Sequence, residues 1–158
     1  MLSTRLGTSG LEVSELALGT MTWGRDTDEH DAAEQMELYL AAGGNVVDTS
    51  DVYGEGVAQE IVGRVLHDLA ADDVLVLSRS GGVANPQRPF DHSRRHLTQS
   101  LEHSLRRLGR DAVDVWAIHG TDAMCDLDEV CAAASAAVES GKAHYLALCD
   151  WPPAWMAA

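Results

Sequence analysis

Asn45-Val46-Val47-Asp48-Thr49-Ser50-Asp51-Val52-Tyr53-Gly54 decides how this chain is read. Two valines lead into a carboxylate, then a polar turn, a phenol and a glycine. Val46 and Val47 predict a short buried strand. Asp48 then sits at that strand's C-terminal end, and Tyr53 follows in the loop before the next helix. In parallel α/β folds, ligands bind at the carboxyl ends of strands, on the loops that follow. A strand-end Asp also commonly caps a turn, and a loop Tyr commonly packs over a rim, so the pair alone carries little. Its weight comes from Arg79 and His119, placed near the ends of two later strands.

Outward from this stretch, elements alternate. Upstream, residues 6–14 predict a hairpin turned at Ser9-Gly10. Leu16-Ala17-Leu18-Gly19 predicts the first interior strand, followed by a loop carrying Trp23, either a core plug or a pocket wall. A helix capped by Thr27 or Asp28 runs to about residue 42, with Ala32, Met36, Tyr39 and Leu40 inward. Downstream, a helix over about 57–69 contains Gly63, which costs helix stability but permits a close approach. Residues 74–78 predict a strand covered on both sides, and Arg79 opens a long loop. Leu97, Leu101, Leu105 and Leu108 mark a helix ended by Gly109. A strand over 113–119, a helix over about 127–140 and a strand over 143–148 follow, and then a helix that has barely begun.

Hairpin, four β-α units and one more strand predict a parallel sheet with right-handed crossovers. The expected fold class is α/β: a partial TIM-type (β/α) barrel with an N-terminal hairpin and about five parallel strands, residues 1–158 forming one domain. No G-x-G-x-x-G follows a strand and no P-loop is present, so a doubly wound nucleotide-binding sheet is the weaker alternative. A closed barrel takes about 250 residues. Five strands leave apolar sheet and two edges bare. A homo-oligomer or another chain covering the open barrel is therefore expected, unless the sheet closes irregularly or the sequence omits part of a longer protein.

The formal charge is −14, from 25 acids against 11 bases. Nucleic acid is an unfavoured partner, because binding it needs basic patches. No stretch is long and apolar enough for a bilayer span, and the N-terminus lacks a signal-peptide apolar run; a cytoplasmic location without membrane contact is the expectation. Cys125, Cys131 and Cys149 have neither disulfide nor zinc-motif spacing. Cys131 and Cys149 are expected to be buried thiols. His92, His96 and His103 are expected to be solvated helix residues, and Arg94-Arg95 and Arg106-Arg107 solvent-facing. No metal site is expected.

Gly10-Leu11-Glu12-Val13-Ser14 through Gly19-Thr20-Met21, with residues 47–54, resembles the opening of an aldo-keto reductase. Residues 104–119 are similar to that family's fourth βα unit, and Gly141-Lys142 through Asp150 to its fifth-strand region. The resemblance is placed on the family's N-terminal half only, with a divergent catalytic tetrad. It implies NADPH-dependent reduction of an aldehyde or ketone on a (βα)8 barrel. Asp48 matches the family's aspartate, Tyr53 its acid and His119 its carbonyl-orienting histidine. Arg79 stands at the lysine position, still cationic but with a planar fork in place of a compact ammonium. The cofactor side falls to Gly19, Thr20, Met21, Asp48, Cys149 and Asp150. The last two replace a Ser-Asn pair, and Asp150 is acceptor-only when ionised. Trp23 and Trp151 are the candidate walls for a small-molecule substrate. The family's phosphate-binding residues come later in its sequence, so NADPH requires a site supplied elsewhere.

The alternative is a cofactor-independent acid/base enzyme, a cyclase, dehydratase or isomerase, using Tyr53 and His119 tuned by Arg79 and Asp48. A non-catalytic subunit or a truncated product is the third reading.

Overall fold

The structure, a computed structural model, describes residues 1–156. An antiparallel hairpin of β1 (Ser3–Arg5) and β2 (Glu12–Ser14) precedes the sheet. The sheet holds β3 (Leu18–Gly19), β4 (Val46–Ser50), β5 (Leu75–Ser80), β6 (Val113–His119) and β7 (Ala143–Cys149). They lie side by side in chain order and all pair in parallel. Parallel neighbours need crossovers. These are supplied by α1 (Glu29–Ala41), α2 (Val57–Asp68), α3 (Arg94–Leu108) and α4 (Leu127–Glu139), with α5 (Pro153–Met156) a single turn after β7. This is a partial, unclosed TIM-type barrel.

The helix limits follow local chemistry. Asp28, Ser93 and Asp126 each accept a backbone N–H of the first turn, satisfying a group the helix leaves orphaned. Gly109 ends α3 in the left-handed region, with φ 65°. Leu97, Leu101, Leu105 and Leu108 of α3 and Ile61, Val62, Val65 and Leu66 of α2 are buried against Val47, Val76, Trp116 and Ile118 of the sheet. Buried Gln59 on α2 donates to Ser78 Oγ and Ser104 Oγ at 3.1 and 2.9 Å, tying α2 to β5 and α3.

On β7 the helix-side residues Leu146 and Leu148 are 44% and 48% exposed. They line an apolar groove with Val130, Trp151 and Trp155. Among the described residues, no helix is long and apolar enough to cross a membrane.

Several expectations are corrected. β4 continues through Ser50, so Asp48 is mid-strand; β5 continues through Ser80, so Arg79 belongs to the strand and does not open the loop. The polar residues extend the ladder because Thr49 pairs with Ser78 and Ser50 with Arg79. Leu16 is exposed and lies outside the two-residue β3. Cys131 is exposed and Cys149 half-buried, so neither is a fully buried thiol. His92 is buried, before the helix cap and not on the helix.

A Cβ built on Gly63 would meet the carbonyl oxygens of Leu108 and Arg107 at 2.7 and 2.9 Å. These atoms are backbone and cannot swing away. Ala gains up to about 1 kcal/mol in helix propensity, but overpacking costs about 1–3 kcal/mol. Gly63→Ala should therefore lower the urea midpoint at unchanged m-value; a raised midpoint would contradict the close α2–α3 approach.

Candidate active site

The pairing register dictates which side chains share the face opposite the helices. Asp48 and Ser50 lie two apart, hence on one face of β4. Ser50 pairs with Arg79, Arg79 with Ala117, and Ala117 with Ala147. Two residues on, His119 pairs with Cys149. Asp48, Arg79, His119 and Cys149 therefore project to the same side, with the small Ala117 and Ala147 between them.

Arg79 uses that space. Its Nε and Nη2 donate to the two carboxylate oxygens of Asp48 at 2.8 and 2.5 Å, and its Nη1 reaches Cys149 Sγ at 3.1 Å. One guanidinium thus joins β4 to β7. The Asp48 bond raises the Arg79 pKa further above its ordinary value, ahead of the opposing effect of burial. The network continues: the Cys149 thiol donates to Asp150 Oδ2 at 3.4 Å, and His119 Nε2 lies 3.0 Å from the same oxygen. Five side chains, Asp48, Arg79, Cys149, Asp150 and His119, form one hydrogen-bonded run. Burial raises the Cys149 pKa, against the pull of Arg79; the thiol and His119 bonds lower that of Asp150.

Tyr53 opens a tight turn over Tyr53–Gly56, in which Gly54 and Glu55 both take positive φ. Its hydroxyl hydrogen-bonds to no described residue. Burial raises its pKa above 10.0; Arg79 lowers it, and Asp48, Cys149 and Asp150 add to the rise. Tyr53 thus shares an electrostatic neighbourhood with Arg79 without bonding to it, and no hydrogen bond links it to His119 among the described residues.

Of the remaining sequence candidates, Thr20 is fully buried and donates its hydroxyl to Asp48 O at 3.0 Å. Gly19 and Met21 are exposed. The Trp23 indole is fully buried and donates to Gln35, so it is a core plug and not a pocket wall. Trp151 donates to Ile118 O at 3.0 Å and lies on the helix side of the sheet. It backs β6 and does not face Arg79, which corrects its assignment to a substrate wall.

The residues that hold His119 were not expected. Phe90 packs against its ring at 5.4 Å. His92 stacks on Trp151 at an interplanar angle of 7°, with Nε2 3.1 Å from His119 O. His92 N donates to Asp122 Oδ2 at 3.0 Å, and Arg88 Nη2 donates to the same atom at 2.6 Å. The available signal was position: His92 precedes the Ser93 cap, beside the chain's one Phe.

Asp122 is held at about 2: burial opposes ionisation, but Arg88 and the backbone N–H groups of His92 and Met124 outweigh it. A depressed carboxyl pKa contributes stability above the ordinary value of 3.8, lost as pH falls toward 2. Asp122→Asn should cost about 1–3 kcal/mol at neutral pH, and its stability should converge with the parent's as pH drops to about 2. Urea titrations across that range measure both, and a pH-independent gap would contradict the assignment.

The sequence profile described as Aldo/keto reductase family matches residues 15–158. A probable voltage-gated potassium channel subunit beta from Oryza sativa subsp. japonica is 36% identical, over 92% of this chain and 45% of its own length. A 6-dehydroglucose reductase from Novosphingobium aromaticivorans is 33% identical, over 98% of this chain and 53% of its own. The holo form of the aldo-keto reductase AKR11C1 from Bacillus halodurans superposes with TM-score 0.87 at 30% identity, covering 99% of this chain and 53% of that one. The chain thus spans about half the length of these relatives. The reading that confined the likeness to an N-terminal half is corrected: the family domain runs through nearly all of the 158 residues. This chain belongs to the aldo-keto reductase family, whose class is oxidoreductase.

Proposed function

We propose that residues 1–158 act as one domain carrying the proton-donating side of a carbonyl reductase site, with Tyr53 as the acid. The observation that carries this reading is an unbonded phenol in the field of the Arg79–Asp48 pair. As charge develops on a substrate carbonyl oxygen, Tyr53 donates its proton there. The Arg79 cation stabilises the tyrosinate left behind. His119 exchanges its bond to Asp150 for the carbonyl oxygen and orients it. The 6-dehydroglucose reductase among the relatives is named for activity of this class.

NADPH, when bound, supplies the hydride. The residues here suit one end of that cofactor only. Gly19, Thr20, Met21, Cys149 and Asp150 are assigned to its nicotinamide side. Arg79 is already engaged by Asp48, and Asp150 adds negative charge, so the phosphates are assigned to groups outside these residues, on a second copy or further sequence.

Asp150 favours a second reading. Its exposed carboxylate, bonded to His119, supports the cofactor-independent reading in which Tyr53 and His119 are the acid/base pair and no phosphate site is needed, as suits a cyclase, dehydratase or isomerase.

Calorimetry with NADPH and cofactor oxidation with small aldehydes separate the two. The first reading expects saturable binding, and Tyr53→Phe should lower kcat roughly 10²–10⁴-fold without loss of cofactor affinity. No binding at millimolar NADPH by folded protein hands the site to the second reading. Undiminished turnover in Tyr53→Phe removes the acid from both. Because the phenol titrates above 10.0, the rate should hold through neutral pH and fall only beyond that value.

A further inference from the structure

We propose that His119, Cys149 and Asp150 form a three-donor site for a zinc-class divalent cation, with an open fourth position. His119 Nε2, Cys149 Sγ and an Asp150 carboxylate oxygen all lie within 4.8 Å of one another. The His119–Asp150 and Cys149–Asp150 separations are 3.0 and 3.4 Å. Bonds of about 2.0–2.3 Å at tetrahedral angles put neighbouring donors about 3.3–3.8 Å apart. Small side-chain shifts therefore convert the hydrogen-bonded cluster into a coordination site.

The backbone holds the three in place. His119 and Cys149 are paired across β6 and β7 and so point the same way. Asp150 adopts φ 59°, a left-handed conformation unusual for a non-glycine, which turns its carboxylate back toward the other two. An imidazole, a thiolate and a carboxylate match zinc's preferred ligand types, and three protein ligands with one open position is the arrangement of catalytic zinc sites. The Asp150 side chain is 72% exposed, so the open position faces solvent.

The charges also balance. On binding, Cys149 Sγ loses its proton to solvent and a bond to the metal forms in its place. The thiolate and carboxylate then carry two negative charges against the cation's two positive. Arg79 Nη1, 3.1 Å from Sγ, donates to the thiolate from outside, its own charge matched by Asp48. Ligation through Nε2 places the ring proton on Nδ1, which is buried without a partner among the described residues. A missing partner of this kind weakens metal affinity about 10–100-fold, so the site should bind more weakly than one with a complete outer shell. Occupancy would take His119 away from a substrate carbonyl, making the metal an inhibitor of the reductase reading.

Cobalt titration of the chelator-treated chain tests this without reference to NADPH. The expected result is a thiolate-to-cobalt charge-transfer band and tetrahedral visible bands, saturating at one equivalent and reversed by zinc. Cys149→Ser should abolish the charge-transfer band, while Cys125→Ser and Cys131→Ser should retain it. Asp150→Asn, at an exposed position that should leave folding intact by circular dichroism, should weaken cobalt binding about 10–100-fold. No charge-transfer band at millimolar cobalt, a band persisting in Cys149→Ser, or unchanged affinity in folded Asp150→Asn would each overturn the site.

Discussion

The Arg79–Asp48 ion pair is the constraint around which the face opposite the helices is arranged. Both side chains are mostly withdrawn from water, 24% and 17% exposed. A partly buried cation is tolerable only if paired and hydrogen-bonded. Asp48 meets that need through two oxygens in the fork geometry particular to arginine. The remaining nitrogen then has to find an acceptor, and it finds Cys149, two strands away from β5. Ala117 and Ala147 leave the passage clear.

This arrangement shapes the chemistry available to Tyr53. A cation lowers a phenol's pKa, and anions and burial raise it. Burial is the largest single effect and raises the Tyr53 pKa; Arg79 is the activating neighbour, and Asp48, Cys149 and Asp150 oppose it in the same sense as burial. The phenol stays protonated through neutral pH, which suits a proton donor. The same carboxylate that opposes Tyr53 ionisation, Asp150, draws His119 and Cys149 into a cluster able to ligate a metal. One substitution region at the end of β7 thereby bears on both readings of the site.

The two faces of the sheet divide the work. On the helix side, leucines of α3 and branched residues of α2 bury against Val47, Val76, Trp116 and Ile118. On the other side lie the charged and polar groups. The loop after β5 links the two: His92 stacks on Trp151 behind β6 while its ring meets the carbonyl of His119, and Asp122 anchors that loop through Arg88. His119 is therefore held from outside the face on which it acts.

Local periodicity was enough to read the helices and the alternation of elements. The leucine spacing of α3, the Asp and Ser caps and the glycine stops act within a few residues, so they are visible in one dimension. Strand ends were not, because Thr49, Ser50, Arg79 and Ser80 are polar, and only pairing with neighbours makes them strand. Likeness of motif put Asp48 and Arg79 in one site, yet their salt bridge spans 31 positions and depends on register. Trp23 and Trp151 illustrate the same limit: an indole after a strand can plug the core or wall a pocket, and its sequence neighbours do not distinguish these. For His92 only its position before the Ser93 cap was legible, since its partners His119, Asp122 and Trp151 come from distant segments. Hydrophobic period and capping are properties of adjacent residues, whereas side-chain convergence is decided by which strands pair and in what register.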